Sequence, residues 1–196
     1  MESGRLEAFS DGVLAIIITV MVLELKVPEG STLSDLWHHS GLSFVTYALS
    51  FLYVGIYWNN HHHLFVLSGR VSGAVMWANL HLLFWLSLFP FTTAWMDDTK
   101  LALTPTVVYG IDLLAAALAY FILQSLALRQ PDCAGFARDV LGKDIKGKLS
   151  PALYLTGIGL AFVEPWMGLI PFAMVALMWL IPDRRVERYI RASANA

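Results

Sequence analysis

Hydrophobic residues along this chain gather into long runs, each near or above the roughly 20 residues that a helix needs to cross a bilayer. Short polar or Pro/Gly-marked breaks separate them. The first run extends from Leu6 to Leu25 and is closed by Lys26 and Pro28. Beyond the loop Glu29-Gly-Ser-Thr32, Ser34 or Asp35 stands where it would cap a short amphipathic helix carrying Leu36, Trp37, His38 and His39. The second run covers Leu42 to Leu67 and ends in Trp58-Asn-Asn-His-His-His63. The third covers Gly73 to Trp95, carries Asn79 and His81, and ends at Phe89-Pro-Phe-Thr-Thr93, with Asp97-Asp98-Thr99-Lys100 as the following turn. The fourth spans Pro105 to Leu128 and holds one internal charge, Asp112. A polar connector from Arg129 to Lys148 leads to a run from Leu149 to Ile181, too long for one helix and broken at Glu164-Pro165 into a fifth and a sixth segment. The pattern predicts an all-α membrane protein of six transmembrane helices, with residues 1–196 as a single unit.

The first segment has two unlike sides. At about 100° per residue, Ile16, Val20 and Leu23 fall within roughly 60° of one another, with Thr19 on the margin and Phe9 and Gly12 extending the stripe. Asp11 points roughly 140° away from Ile16, and Ser10 about 120° away on the other flank. Such a stripe in a spanning helix is by default a contact with lipid or another helix; the functional alternative is an apolar pore lining. Ser10 and Asp11 admit an exposed helix start, with Ser10 capping and Asp11 complementing the dipole. Buried pairing is favoured, because a carboxylate at the membrane edge needs a partner where water is scarce.

Composition agrees with the pattern: 57% of residues are hydrophobic and 14% charged, too apolar for an ordinary soluble domain. The net charge of −2 matters less than where the charges fall. With six segments, eleven of the thirteen Lys and Arg lie on the side of the termini: Arg5, Arg70, Arg129, Arg138, Lys143, Lys146, Lys148, Arg184, Arg185, Arg188 and Arg191. Only Lys26 and Lys100 lie opposite, so the positive-inside rule places both termini in the cytoplasm and the protein in the cell membrane as a multi-pass chain among lipids. No basic block with interleaved aromatics implies nucleic acid, and the single cysteine, Cys133, has no partner for an intrachain disulfide. Glu2, Glu7 and Asp11 are wrong for a cleavable leader, so the first segment is expected to remain as a spanning helix.

If segment one runs outward, segment two runs inward, and its Trp58, Asn59, His61, His62 and His63 return to the depth of Asp11. Asn79 and His81 of segment three join them. Indole, amide and imidazole N–H groups are the donors that a buried serine and carboxylate require.

Arg5-x-x-x-Phe9-Ser10-Asp11, followed by Trp58-x-x-His61-His62, Asn79-Leu80 and Pro90-Phe91, resembles the transmembrane protein 175 family of lysosomal and prokaryotic potassium channels. The resemblance covers segments one to three; segments four to six agree in number and hydrophobicity. It implies a potassium-selective, leak-like cation channel whose first helix lines the pore, with permeant potassium ions and no cofactor. It further implies that four copies of this single six-helix unit surround a central pore as a homotetramer. The family's pore positions map onto Ile16, Val20 and Leu23, and its threonine layer onto Thr19. Its motif residues map onto Arg5, Phe9, Ser10 and Asp11, packing away from the pore against Trp58, His61 or His62, and Asn79, with Asn59 beside them. Val20 departs from the leucine expected there, and the triple histidine leaves open which imidazole is the motif partner.

No Thr-Val-Gly-Tyr-Gly filter is present, so carbonyl coordination of that design is excluded, whereas an apolar ring gates by dewetting. A secondary transporter is the alternative in another class, but no repeated halves are visible and only Asp112 looks like a midplane charge, more readily a polar contact between helices. A histidine-box membrane metalloenzyme would need spaced histidine pairs, which His38, His39, His61, His62, His63 and His81 do not supply. The chain is therefore not read as an enzyme.

Overall fold

A computed structural model of the chain describes residues 3–68, 71–129 and 145–180. Among these, every regular element is a helix: α1 (Ser3–Leu23), α2 (Leu33–Ser68), α3 (Gly73–Ser87), α4 (Phe89–Asp98), α5 (Leu103–Leu128), α6 (Ile145–Ala161) and α7 (Pro165–Leu180). Four stretches are long and apolar enough to cross a membrane: α1, most of α2, α3 with α4, and α5; α7 is a shorter apolar helix of 16 residues. Arg70, Cys133, Arg138, Lys143 and the four tail arginines lie outside the described residues.

The structure revises three local expectations. The short amphipathic helix is not separate, because α2 runs unbroken for 36 residues. Gly41, which would divide the two, is covered instead: a Cβ there would lie 3.2 Å from the Trp37 ring. A helical glycine costs only about 1 kcal/mol relative to alanine, too little to break a helix of this length. The cap is neither Ser34 nor Asp35 alone. The Asp35 backbone N–H donates to Thr32 Oγ1 at 3.2 Å, and the Thr32 N–H and hydroxyl donate to Asp35 Oδ2 at 3.0 and 2.7 Å, a reciprocal capping box.

The third segment is not one straight helix. Leu88 separates α3 from α4, and Pro90, lacking an N–H, cannot continue the hydrogen-bond ladder across that turn. The far end of α4 closes with Leu101 N–H donating to Met96 O at 2.9 Å and Lys100 N–H to Asp97 O at 2.8 Å. This is a Schellman closure, with Lys100 at φ 51° where glycine usually stands. The Glu164-Pro165 break falls where the sequence places it, with Pro165 opening α7.

Helix α5 is central, packing on α2, α3, α4, α6 and α7. The core around it is aromatic: Tyr53, Tyr57, Phe89, Tyr109, Tyr120, Tyr154 and Phe172 form a chain of ring contacts with centroids 5.9 to 6.5 Å apart. Buried hydroxyls have partners: Tyr53 donates to Phe172 O at 2.6 Å, and Ser50 bonds Thr93 at 2.7 Å and Tyr109 at 2.9 Å. Helices α6 and α7 meet through glycine, since a Cβ on Gly157 would lie 2.9 Å from the Gly168 carbonyl and 2.4 Å from the Phe172 ring. Small residues at such crossings let backbones approach where lipid offers no hydrophobic drive. Helix α1 sits at the edge of this bundle, against α2, α3 and α4.

Candidate functional site

The two sides of α1 have different surroundings. Leu6, Ser10, Leu14, Ile17 and Met21, spaced three and four residues apart, form its buried face. The opposite stripe is bare: Phe9 is 53% exposed, Ile16 63%, Val20 39% and Leu23 81%, with Gly12 and Thr19 exposed among them. Thr19 donates its hydroxyl proton to Ile16 O at 2.9 Å, which leaves its oxygen as an outward acceptor. Between α1 and the α3–α4 break lies an open groove of about 580 Å³, lined by Val13, Ile16, Ile17, Val20 and Glu24 on one side and Ser87, Pro90, Phe91 and Ala94 on the other.

On the buried side, three elements meet through one directed relay. Ser10 Oγ donates to Leu6 O one turn back at 2.9 Å, so its oxygen accepts, and Asn79 Nδ2 donates to it at 2.9 Å. That fixes the orientation of the amide: Asn79 Oδ1 faces His61 Nε2 at 2.8 Å, and an acceptor there requires the Nε2–H tautomer. All three side chains are at most 1% exposed. The other ring nitrogen, His61 Nδ1, is buried with no partner among the described residues.

Two further ties fasten α1 to α2 at the helix surface. Trp58 Nε1 donates to Asp11 Oδ1 at 3.1 Å, and His62 Nδ1 meets Glu7 Oε1 at 2.5 Å. Each step of four residues along α1 is matched by a step of four in the reverse sense along α2, the signature of antiparallel neighbours in register. This spacing was available in the sequence and would have found Glu7, which motif reading missed. The structure thus gives His61 to Asn79 and His62 to Glu7, while His63 packs its ring on His62 at 5.8 Å. It does not bring Arg5, Phe9 or Asn59 into the network: Arg5 and Phe9 are exposed, and the Arg5 and Asn59 side chains make no hydrogen bond among the described residues.

The remaining polar candidates are dispersed. His81 accepts from Trp85 Nε1 at 3.0 Å, and His38 and His39 are exposed on α2. Among the described residues no three His, Cys, Asp or Glu side chains converge on a point. Asp112 is buried on α5, with Oδ2 accepting from Thr92 at 3.0 Å and Oδ1 without a partner among the described residues, so it joins α4 to α5. Beyond α1, Lys26 Nζ meets Asp98 Oδ1 at 2.5 Å, and this carboxylate, with smaller contributions from Asp97 and Glu24, raises the ammonium pKa above its ordinary value.

Residues 5–90 match the family described as the endosomal/lysosomal potassium channel TMEM175. The chain is 48% identical over 191 residues to a potassium channel of Chryseobacterium sp. strain P1-3, covering 97% of this chain and 99% of that protein. It is 35% identical to a potassium channel of Streptomyces collinus, covering 91% of each. Its fold superposes on the crystal structure of a lysosomal potassium-selective channel TMEM175 homologue from Chamaesiphon minutus with a TM-score of 0.71 at 28% identity, over 91% of this chain and 96% of that one. The chain belongs to the TMEM175 potassium-channel family.

Proposed function

We propose that this chain is the subunit of a potassium-selective, leak-like channel in the cell membrane, assembled as a homotetramer with both termini cytoplasmic. The α1 stripe forms its hydrophobic constriction. The observation that carries this reading is the contrast on α1 itself. One face is fixed by buried polar ties, whereas Ile16, Val20 and Leu23 stand exposed beside an open groove that the chain does not fill. Four copies around an axis would cover these stripes with one another and enclose a narrow uncharged passage.

In such a passage an ion must shed or squeeze its hydration shell, and potassium is less costly to dehydrate than sodium. The outward Thr19 oxygens supply acceptors next to the ring during that step. Ser10, Asp11, Glu7, Trp58, His61, His62 and Asn79 then act as fastenings that aim the stripe, not as groups that touch the ion.

Two measurements on the purified protein test this. Native mass spectrometry in detergent is expected to give a tetramer, and proteoliposomes are expected to pass potassium down its gradient without saturation or a counter-ion. A monomer, or saturable flux that needs a counter-ion, would remove the central pore from the account.

A further inference from the structure

A ring of isoleucine or leucine carries no charge, so it discriminates by hydration and has no means of preferring a cation to an anion. The exposed stripe from Phe9 to Leu23 contains no charged residue. Below it, the two carboxylates of α1 are turned into the subunit: Glu7 is held by His62 and Asp11 by Trp58. The Thr19 oxygens beside the ring are neutral hydroxyls, so a channel that passes potassium and rejects chloride takes its charge from elsewhere along the path.

Glu24 is the first charged residue beyond the stripe. It follows Leu23, the last residue of α1, immediately and lines the same groove as Ile16 and Val20. It is exposed and makes no side-chain hydrogen bond or ion pair among the described residues. The Lys26 ammonium is engaged by Asp98 on α4, so it does not neutralise Glu24 by contact. Glu24, Asp97 and Asp98 all act on Lys26, and with Lys100 beside Asp97 these three carboxylates stand against two ammonium groups at this end of α1.

We propose that Glu24 determines the charge selectivity of the channel: four Glu24 carboxylates ring the outer mouth, concentrate potassium there and repel anions before the apolar constriction sorts cations by hydration. This rests on the tetrameric channel reading above. Carboxylate rings act in this way by raising the local cation concentration, an effect that fades as salt screens it. The Debye length falls from about 30 Å at 0.01 M to about 3 Å at 1 M ionic strength.

The test is single-channel recording in planar bilayers at low (about 20 mM) and high (about 1 M) KCl, with reversal potentials in a KCl gradient. Glu24→Gln is expected to lower low-salt conductance about threefold, to converge on wild type at high salt, and to admit measurable chloride. Glu24→Asp should stay near wild type, and Glu29→Gln, the same charge change on the exposed loop beyond the helix, should alter neither quantity. A wild-type protein that carries no potassium current overturns the channel reading and this proposal together. A conducting wild type whose low-salt conductance and chloride exclusion survive Glu24→Gln overturns the role of Glu24 alone. Equal effects of Glu24→Gln and Glu29→Gln would also overturn it, since the charge would then act without regard to the pore axis.

Discussion

His61 Nε2 stands 2.8 Å from Asn79 Oδ1, and the direction of that bond is dictated two residues away, by Ser10 giving its proton to the Leu6 carbonyl. Asn79 is therefore the hub: it supplies a donor to α1 and an acceptor to α2. Asn79→Ala is expected to strand buried groups on both helices and to destabilise the protein by about 1–3 kcal/mol, more than Ser10→Ala, which removes one end of the relay. Thermal unfolding of the two variants in detergent gives the order, and an equal or reversed order would mean that the relay does not run through the amide.

Ile16 projects from α1 with most of its surface bare, one turn from Val20. On the channel reading proposed above, it forms the narrowest ring of the passage and sets both the rate and the hydration step. Ile16→Asn is expected to raise unitary conductance several-fold and to erode the preference for potassium over sodium, whereas Thr19→Ser should keep that preference and Thr19→Val reduce it. Bi-ionic reversal potentials measure all three. Unchanged ion preference in Ile16→Asn would displace the selective step from this stripe.

The all-helical membrane reading was available from hydropathy alone, because bilayer thickness sets the length of an apolar helix; four stretches of the structure meet that length, and α7 falls short of it at 16 residues. The meeting of Ser10 and Asp11 with residues of the second and third segments also follows from depth, since antiparallel helices return to the same level. What stayed hidden depended on single side-chain contacts. Nothing in the pattern says that the Trp37 ring lies over Gly41 in a helix that runs straight through, or that Thr32 closes on Asp35 in place of Ser34. Pro90 was in plain view, but a proline read as the end of a run turned out to divide the run at Leu88 and let α4 continue to Asp98. Glu7 was passed over because motif reading stops at the motif, although the four-residue spacing on both helices pointed to it.

Gly157 and Gly168 bring α6 and α7 to backbone contact, with the Phe172 ring against them. A methyl group at Gly157 meets a carbonyl oxygen that cannot rotate away. Gly157→Ala is expected to cost about 1–3 kcal/mol through overpacking and to lower the melting temperature in detergent, while Gly159→Ala, where a Cβ meets nothing within 4 Å, should not. Equal melting temperatures for the two would show that the pair of helices has slack.

Asp112 offers a separate discrimination. If it only joins α5 to Thr92 of α4, Asp112→Asn keeps the contact and potassium flux into proteoliposomes stays within about twofold of wild type. A coupling site for a transported ion would lose function when its charge is removed. Abolished flux in a correctly assembled Asp112→Asn protein would favour transport over conduction.

Both ends of α1 are anchored to its own subunit. At the start, Glu7, Ser10 and Asp11 bind to α2 and α3; just past the end, Ser40 of α2 donates to the Lys26 carbonyl at 2.8 Å, and Lys26 reaches Asp98 of α4. A stave pinned at top and bottom has no free end to swing. In the proposed tetramer, widening the passage between four such staves must then come from whole subunits leaning together, or from each stave turning about its long axis, and a restraint placed between neighbouring subunits far from α1 would stiffen the passage as surely as one placed within it.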